Sequence, residues 1–353
     1  MRAIDPLSAR NLLIRLVGIP SVTRHESEAC TYLAQALPFY GWESAHIDEI
    51  GNVVAEKGRG PRELLLLGHI DTVAGGPAVR LEGDILWGRG SVDAKGPLCT
   101  FAVGGGAAKV PDGWKLTLIA AVGEEGDSRG ALHILPRHSP AGCLIGEPSH
   151  TDGITIGYRG YIRLKIQAGD SGAHRSGDAG PITACVRAAA DILDLVDGRD
   201  DHEKPVIERP SAAIIGMFGK EDGDRTGIID MDIRLPVGAG VDAWTEDVKR
   251  FSEKRGVSIR SLSSMPAHLT DKNNPMARTL RLAVRDAGLK PRVLAKGGTA
   301  DFNLAAAWNC PMAAYGPGDS KLDHTANEHL DLTEYLTAAE IMKKALENFM
   351  EKA

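Results

Sequence analysis

The segment LLLLGHIDTV, residues 64–73, contains the first side chains whose types and spacing suggest chemistry. His69 and Asp71 lie two and four residues after a run of four leucines, and such an apolar run predicts a buried strand that ends on the histidine. A single His-x-Asp at the end of a strand is usually only a polar turn. The interpretation of this motif therefore depends on the side chains that follow the other predicted strands.

Other apolar runs also lead into acidic residues. In open α/β sheets the ligand crevice lies at the carboxyl ends of the strands, so side chains that follow the strands are expected to converge there. The candidates besides His69 and Asp71 are Glu124 and Glu125 after LTLIAAVG, Glu147 after GCLIG, Asp93 within GRGSVDAKG, and His324 within SKLDHTANEHL.

A group of carboxylates with few opposite charges is costly unless it binds cations. Carboxylate oxygens combined with imidazole suit Zn²⁺, with Co²⁺ or Mn²⁺ as substitutes. Two such ions can share a bridging carboxylate and a water. We therefore predict two Zn²⁺ per subunit, with Asp93 as the bridge. The predicted ligands are His69, Asp93 and Glu147 for one ion, and Asp93, Glu125 and His324 for the other.

Two more residues receive predicted roles beside the metal. Glu124 cannot easily point the same way as its neighbour Glu125, so Glu124 is the better candidate for the base that deprotonates the attacking water. Asp71 is predicted to orient His69 through its second ring nitrogen. Each motif alone has a commonplace alternative, such as a solvated Glu-Glu pair or a Glu-Pro turn. Their combination, in this order and after these strands, favours a metal site.

The elements that would position these residues suit an α/β domain. The runs ELLLLGH, KLTLIAAVGEE and AGCLIGEP are continuously apolar, which is typical of strands covered on both faces. Apolar spacing predicts helices over residues 5–18 and 26–37, and the small, apolar residues 96–110 predict a buried helix.

A second pattern occupies residues 160–265. Alternating strands and amphipathic helices follow one another there as strand–helix–strand–strand–helix–strand, the split βαβ unit. We therefore predict a discontinuous catalytic domain over residues 1–159 and 266–353, with residues 160–265 inserted into it.

Composition excludes several classes of protein. The 353 residues carry a net charge of −6, and a general nucleic-acid binder would need a basic surface. Because no apolar run approaches the length of a membrane span and the N-terminus lacks a signal-peptide core, we expect a cytoplasmic protein without nucleic-acid or membrane partners. The five cysteines are scattered and form no C-x-x-C pair, so neither a disulfide framework nor a cysteine zinc site is indicated.

At GHIDTV, GRGSVDAKG, GEEG, GEPS and LDHTANEHL the sequence resembles the zinc metallopeptidase and deacylase family of acetylornithine deacetylase and succinyl-diaminopimelate desuccinylase. The order and spacing of these motifs match from about residue 8 to residue 350. The resemblance implies an α/β catalytic domain, with a mixed sheet covered by helices, and an inserted α+β domain that serves as a dimerisation or lid domain. It also implies a homodimer.

The resemblance assigns residues in the inserted domain that the sequence pattern alone does not. His174, in the loop GDSGAHRSGDAG, is implied to reach the active site of the partner subunit and to stabilise the oxyanion. Arg234 and the GGTAD turn, which contains Gly298 and Thr299, match positions that bind the carboxylate end of the substrate. For Arg234 an ordinary ion pair on the surface of a strand remains the alternative.

Within the family, GRGSVDAKGPL, TIGYRGYI, KGGTADFN and YGPGDSKLDHT are most similar to the hydrolases that release lysine or ornithine from the acidic amino-group carrier protein LysW. The implied reaction is metal-assisted hydrolysis of the amide on the side chain of the carrier's C-terminal glutamate, in lysine or arginine biosynthesis. One alternative is a deacylase of a free small molecule, such as N-acetylornithine or N-succinyl-diaminopimelate. Another is a non-catalytic metal binder, although such a protein has no use for Glu124.

Overall fold

The structure, a computed structural model, describes residues 3–172 and 179–352. Its α-helices are α1 (Pro6–Gly18), α2 (Ser27–Tyr40), α3 (Lys95–Ala107), α4 (Arg129–Ile134), α5 (Gly180–Asp197), α6 (Val241–Arg255), α7 (Pro275–Asp286), α8 (Asp301–Ala305) and α9 (Leu332–Lys352). Its strands are β1 (Ser44–Ile47), β2 (Val53–Gly58), β3 (Arg62–His69), β4 (Arg80–Glu82), β5 (Ile85–Trp87), β6 (Trp114–Ala121), β7 (Gly142–Gly146), β8 (Gly153–Tyr158), β9 (Gly160–Asp170), β10 (Ser211–Asp222), β11 (Asp224–Leu235), β12 (Ser258–Met265), β13 (His268–Leu269), β14 (Arg292–Lys296), β15 (Met312–Ala314) and β16 (His329–Asp331).

The chain folds into two compact units. The first comprises Met1–Ile156, Thr270–Leu294 and Leu304–Ala353, and the second comprises Gly157–Leu269 and Ala295–Asn303. The sequence-predicted domain boundaries, at 159/160 and 265/266, stay a prediction. Nothing in the sequence pattern indicated that residues 295–303, around the GGTAD turn, group with the second unit.

The first unit contains a mixed sheet with the strand order β1-β2-β6-β3-β7-β15-β8. The four central strands, β6, β3, β7 and β15, are parallel to one another, and the outer pairings are antiparallel. Strand β3 is buried from its second residue to its last, because helices cover the sheet and share one apolar core with it. All residues of α3 are buried, which confirms the predicted internal helix.

A small antiparallel sheet, β16-β5-β4, also belongs to the first unit. His329, Leu330 and Asp331 of β16 pair with Trp87, Leu86 and Ile85 of β5. This pairing brings a segment near the C-terminus beside the loop that leads from β5 to α3. That loop carries Asp93.

The second unit is an antiparallel sheet with the order β10-β11-β9-β12, and α5 and α6 pack against one of its faces. Its own apolar core includes Ile162 and Leu164 of β9, Met231 of β11 and Val248 of α6. The predicted βαββαβ order is confirmed, and with it the predicted fold class of an α/β domain with an inserted α+β domain. Within residues 3–172 and 179–352, no helix combines the length and the apolar character that crossing a membrane requires.

Candidate metal centre

Three parallel strands of the first unit deliver polar residues to the same edge of the sheet. His69 is the last residue of β3 and pairs with Ala121, the last residue of β6. On the other side of β3, Gly68 pairs with Gly146, the last residue of β7. The loops that follow these strands therefore start side by side, as the sequence analysis predicted from the apolar runs.

Asp93 lies between two histidines from distant parts of the chain. Its Oδ1 is 3.2 Å from Nε2 of His69, and its Oδ2 is 3.0 Å from Nε2 of His324. His324 Nε2 is also 2.8 Å from Oε1 of Glu125. Asp93, Glu125 and His324 each offer one ligand atom, and these atoms lie within 4.8 Å of one another. Asp93 therefore presents a different oxygen to each imidazole, as a bridging ligand would.

The ring of His69 has a fixed orientation. Nδ1 lies 3.0 Å from the backbone carbonyl oxygen of Asp71 and 3.6 Å from its Oδ1. When Nδ1–H donates to that carbonyl, the lone pair of Nε2 points toward Asp93, where a metal would accept it. The shorter contact of Asp71 with this ring is thus through its main chain.

The carboxylate of Asp71 holds the Glu124–Glu125 turn. Its Oδ1 accepts the backbone N–H of Glu124 at 3.0 Å, and its Oδ2 accepts that of Glu125 at 3.2 Å. The hydroxyl of Thr23 donates to Oδ2 at 2.7 Å, and the side chain of Asp71 is fully buried. Gly123, with φ of +81°, supplies the left-handed residue that turns the chain directly after β6.

The electrostatics of this cluster favour a positive charge between the imidazoles and the carboxylates. Hydrogen bonds with Asp93 and Glu125 raise the pKa of His324 to about 10. Burial lowers the pKa of His69, but the neighbouring carboxylates of Asp71 and Asp93 raise it well above its usual range. Burial and the neighbouring Asp93 raise the pKa of Glu125, although His324 opposes them. Two imidazole nitrogens with carboxylate oxygens form a donor set that fits Zn²⁺ or a similar divalent ion.

The remaining predicted residues of the first unit lie at the same edge of the sheet. Glu147 directly follows β7 and is 8% exposed. The backbone of Glu124 is fixed by Asp71, and the Glu124 carboxylate contributes to the raised pKa of His69. His324 is about half exposed, so the cluster opens to solvent on its side.

The second unit brings Arg234 and Thr299 together. An Nη1 proton of Arg234 is donated to Oγ1 of Thr299 at 3.2 Å, and the Thr299 hydroxyl donates to the carbonyl of Arg159 at 2.7 Å. Arg234 Nε also pairs with Oδ2 of Asp232 at 2.7 Å. Arg234 therefore contacts Thr299, which was predicted to belong to the same substrate site. It also forms an ion pair with Asp232, which was the alternative interpretation. Gly298 has open space where a Cβ would lie, so no close approach requires glycine there.

One predicted site residue cannot be located, and two residues near the candidate sites were not predicted. His174 lies outside the described residues. No role was predicted for Asp232 or Glu328 from the sequence. Asp232 could have been noticed because it lies two residues before Arg234 on a strand, and alternate residues share a face. The signal for Glu328 was its place four residues after His324 in the motif HTANE.

Comparison with known proteins identifies the protein family. Residues 65–348 match the sequence profile of Peptidase family M20/M25/M40. An M20 family metallo-carboxypeptidase from Sulfolobus solfataricus has the same fold, with a TM-score of 0.82 over 97% of this chain and 99% of its own, at 16% identity. The chain therefore belongs to peptidase family M20/M25/M40, and it is a metal-dependent amide hydrolase.

Two relatives named as LysW hydrolases match nearly the whole chain. A LysW-lysine hydrolase of Deinococcus radiodurans is 34% identical over 97% of this chain and 97% of its own. A LysW-lysine/LysW-ornithine hydrolase of Saccharolobus islandicus is 26% identical over 98% of this chain and 97% of its own. The family resemblance found in the sequence motifs is confirmed.

Proposed function

We propose that this protein hydrolyses the amide that joins lysine or ornithine to the side chain of the C-terminal glutamate of LysW. The main observation in favour of metal-assisted hydrolysis is the position of Asp93, whose two oxygens face different histidines at 3.2 and 3.0 Å. The similarity to LysW-lysine hydrolases over nearly the whole chain supports the substrate.

The proposed centre holds two Zn²⁺, for which Co²⁺ or Mn²⁺ could substitute. We assign His69, Asp93 and Glu147 to one ion, and Asp93, Glu125 and His324 to the other. Divalent ions held by these residues would acidify the attacking water and polarise the amide carbonyl. Glu124 takes a proton from the water as the water oxygen attacks the amide carbon, and it returns that proton to the amine nitrogen as the C–N bond breaks. Asp71 keeps Glu124 and Glu125 in place through their backbone N–H groups.

The substrate itself can be tested with purified protein. We expect kcat/KM for lysine-loaded LysW to exceed that for N-acetylornithine and N-succinyl-diaminopimelate by at least about 10²-fold, because a site that binds a carrier loses that binding energy with a truncated substrate. A higher kcat/KM for N-acetylornithine would instead identify a small-molecule deacylase. Tight metal binding without hydrolysis of any of the three would identify a metal-binding protein.

Arg234 is proposed to bind the carboxylate of the released amino acid. Its pairing with Asp232 and Thr299 engages Nε and Nη1, and a guanidinium has five donors in all. Arg234→Lys keeps the charge but loses the planar fork, so KM for lysine-loaded LysW should rise about tenfold. The rise should shrink for an analogue whose lysine carboxylate is amidated. Arg163→Lys is the matched control, because Arg163 lies opposite Asp232 on the neighbouring strand.

A homodimer is proposed, and strand β10 supports it. This strand of twelve residues is at the edge of the second unit's sheet and exposes Ile215, Met217 and Phe218 by 57% or more of their surface. A long, apolar edge strand is a template for pairing with another chain unless something covers it. A second copy of this chain is the proposed cover.

His174 is proposed to stabilise the oxyanion in the partner's site. His174→Ala should lower kcat by roughly 10²–10³-fold, and Glu124→Gln should be similarly inactive. After subunit exchange between the two variants, half of the dimers are mixed and each contains one complete site, so about a quarter of wild-type activity should return. A tag pull-down checks the exchange. Mixed dimers without activity would show that His174 does not act across the interface.

The reaction is proposed to take place in the cytoplasm. All five cysteines are free thiols in the structure, and four of them are buried. Unpaired thiols suit a reducing compartment. An extracellular signal for the protein in a cell-fractionation experiment would contradict this location.

A further inference from the structure

One buried carboxylate collects the backbone N–H groups of the loop that carries Asp93. The side chain of Glu328 is fully buried. Its Oε1 accepts the N–H of Gly90 at 2.9 Å, that of Val92 at 3.0 Å and that of Asp93 at 3.1 Å. Hydrogen bonds to an ionised acceptor are about twice as strong as those between neutral groups. Three backbone N–H groups of the loop therefore converge on a single oxygen of Glu328.

The second oxygen of Glu328 is paired with the same loop. Its Oε2 accepts from Nη1 of Arg89, whose side chain is only 12% exposed. Arg89 Nε also donates to the carbonyl of Gly75 at 3.3 Å. Removing one partner of a buried ion pair leaves an uncompensated charge, so a neutral side chain at position 328 would disturb both the backbone contacts and Arg89.

The backbone of Glu328 is anchored independently of its side chain. The next residue, His329, begins β16 and pairs with Trp87 at the end of β5. The N–H of Gly88 donates to the carbonyl of Glu328 at 3.3 Å. The Glu328 carboxylate therefore extends from the start of β16 into the loop that follows β5, the strand with which β16 pairs.

Asp93 is contacted by this segment at two points. Glu328 accepts its backbone N–H at 3.1 Å, and Nε2 of His324, four residues earlier, lies 3.0 Å from its Oδ2. The main chain and the carboxylate of Asp93 are thus both fixed by residues 324–328. Of these residues, the metal assignment uses only His324.

We propose that Glu328 is a positioning residue, which holds the loop so that the Asp93 carboxylate spans His69 and His324 and can bridge two ions. This inference rests on the metal centre of the proposed function. Glu328 does not itself serve as a ligand, because both of its oxygens are engaged by the loop. Its contribution should therefore appear in metal affinity and in kcat, with little change in KM.

The test is Glu328→Gln, titrated with Zn²⁺ or Co²⁺ after removal of bound metal with a chelator. The amide keeps the shape, but it offers a neutral acceptor to three N–H groups and turns an NH₂ group toward Arg89. We expect metal affinity to fall about 10- to 100-fold, as is typical when partners behind the ligands are lost. Activity with lysine-loaded LysW should fall in kcat, with KM changed less than about twofold, since the substrate contacts are untouched.

A matched control is Glu63→Gln, the same substitution at another buried carboxylate of the first unit. Glu63 is the second residue of β3, and His69 is the last, so about 20 Å of strand separates it from the metal site. This variant should lose stability in urea unfolding and keep wild-type metal affinity. If Glu328→Gln does not fold, Arg89→Lys replaces it, with a smaller loss of affinity expected because the three N–H contacts stay.

Two results would overturn the proposal. One is wild-type metal affinity and stoichiometry in the Glu328→Gln or Arg89→Lys protein. The other is an equal loss of affinity in Glu63→Gln, which would mean that metal binding follows overall stability. The substrate is tested separately, since a wild-type protein that binds two ions but does not hydrolyse loaded LysW would refute only the substrate.

Discussion

The two ends of strands β3 and β6 both carry buried acidic groups, but the groups differ in how their charge is balanced. At the amino end, Oε1 of Glu63 accepts from the Thr117 hydroxyl at 2.6 Å and lies 3.0 Å from Nζ of Lys115. Its Oε2 is 3.1 Å from Nδ1 of His138. Burial raises the pKa of Glu63, but His138, Thr117 and Lys115 outweigh burial and lower it to about 2.

At the carboxyl end, two imidazoles are shared among several carboxylates. Asp93 contacts both His69 and His324, and Glu125 also contacts His324. The pKa of Glu125 is raised and that of His324 lies at about 10, so the cluster attracts additional positive charge. Acids with enough donors serve stability, whereas acids in excess of donors favour a metal site. Four substitutions test this distinction.

Asp93→Ala should have the largest effect. One carboxylate is proposed to serve both ions, so its removal should abolish binding of both and leave no detectable hydrolysis. Elemental analysis of the purified variant provides the measurement, with Glu63→Gln as the control from the opposite end of the strands. Two zinc ions per chain in Asp93→Ala would contradict the bridging role.

Glu124→Gln should remove the proposed base and keep the metal. The amide retains the shape of the side chain but cannot accept a proton, so kcat should fall at least about 10²-fold. Its neighbour supplies the comparison, because Glu125→Gln should instead lose metal. A Glu124→Gln protein with nearly normal kcat would eliminate Glu124 as the base and direct attention to Glu147 or Asp71.

Asp71→Asn should have a smaller effect, on both kcat and metal affinity. An NH₂ group in place of one oxygen would face a backbone N–H of Glu124 or Glu125, so the turn that presents both side chains should loosen. We expect losses of about 10-fold in kcat and 10- to 100-fold in metal affinity. Thr23→Val removes only one hydrogen bond to the same carboxylate and should cost about 1 kcal/mol of stability. If Asp71→Asn and Thr23→Val lowered metal affinity equally, the turn would not depend on the charge of Asp71.

Glu63→Gln should affect stability alone. The folded pKa of about 2 lies below the ordinary 4.5, so the carboxylate contributes stability that is fully present above about pH 4.5 and is lost as the pH falls toward 2. The shift corresponds to roughly 3 kcal/mol at neutral pH. Urea unfolding at pH 7 and pH 3 should show a wild-type advantage that shrinks at the lower pH. A pH-independent difference would assign the effect to packing.

Much of the fold and of the candidate site could be predicted from local pattern. Continuous apolar runs marked β3, β6 and β7, and the residues that follow them meet at one edge because these strands are parallel. The helix α9, Leu332–Lys352, was not predicted, and neither were β5 and β16. The reason for missing β5 and β16 is their length, because strands of three residues give too short a pattern to be distinguished from loops.

The sequence by itself determined which side chains stand at the ends of the apolar strands and, through the family motifs, the class of chemistry. It also determined the order of elements in the second unit, since alternation and amphipathic spacing are local properties. Only the tertiary structure decided that the Asp71 carboxylate holds the Glu124–Glu125 turn and that Glu328 gathers the N–H groups of the Asp93 loop. These contacts join residues 53 and 235 positions apart in the chain, and no local pattern encodes which distant donors a buried carboxylate will meet.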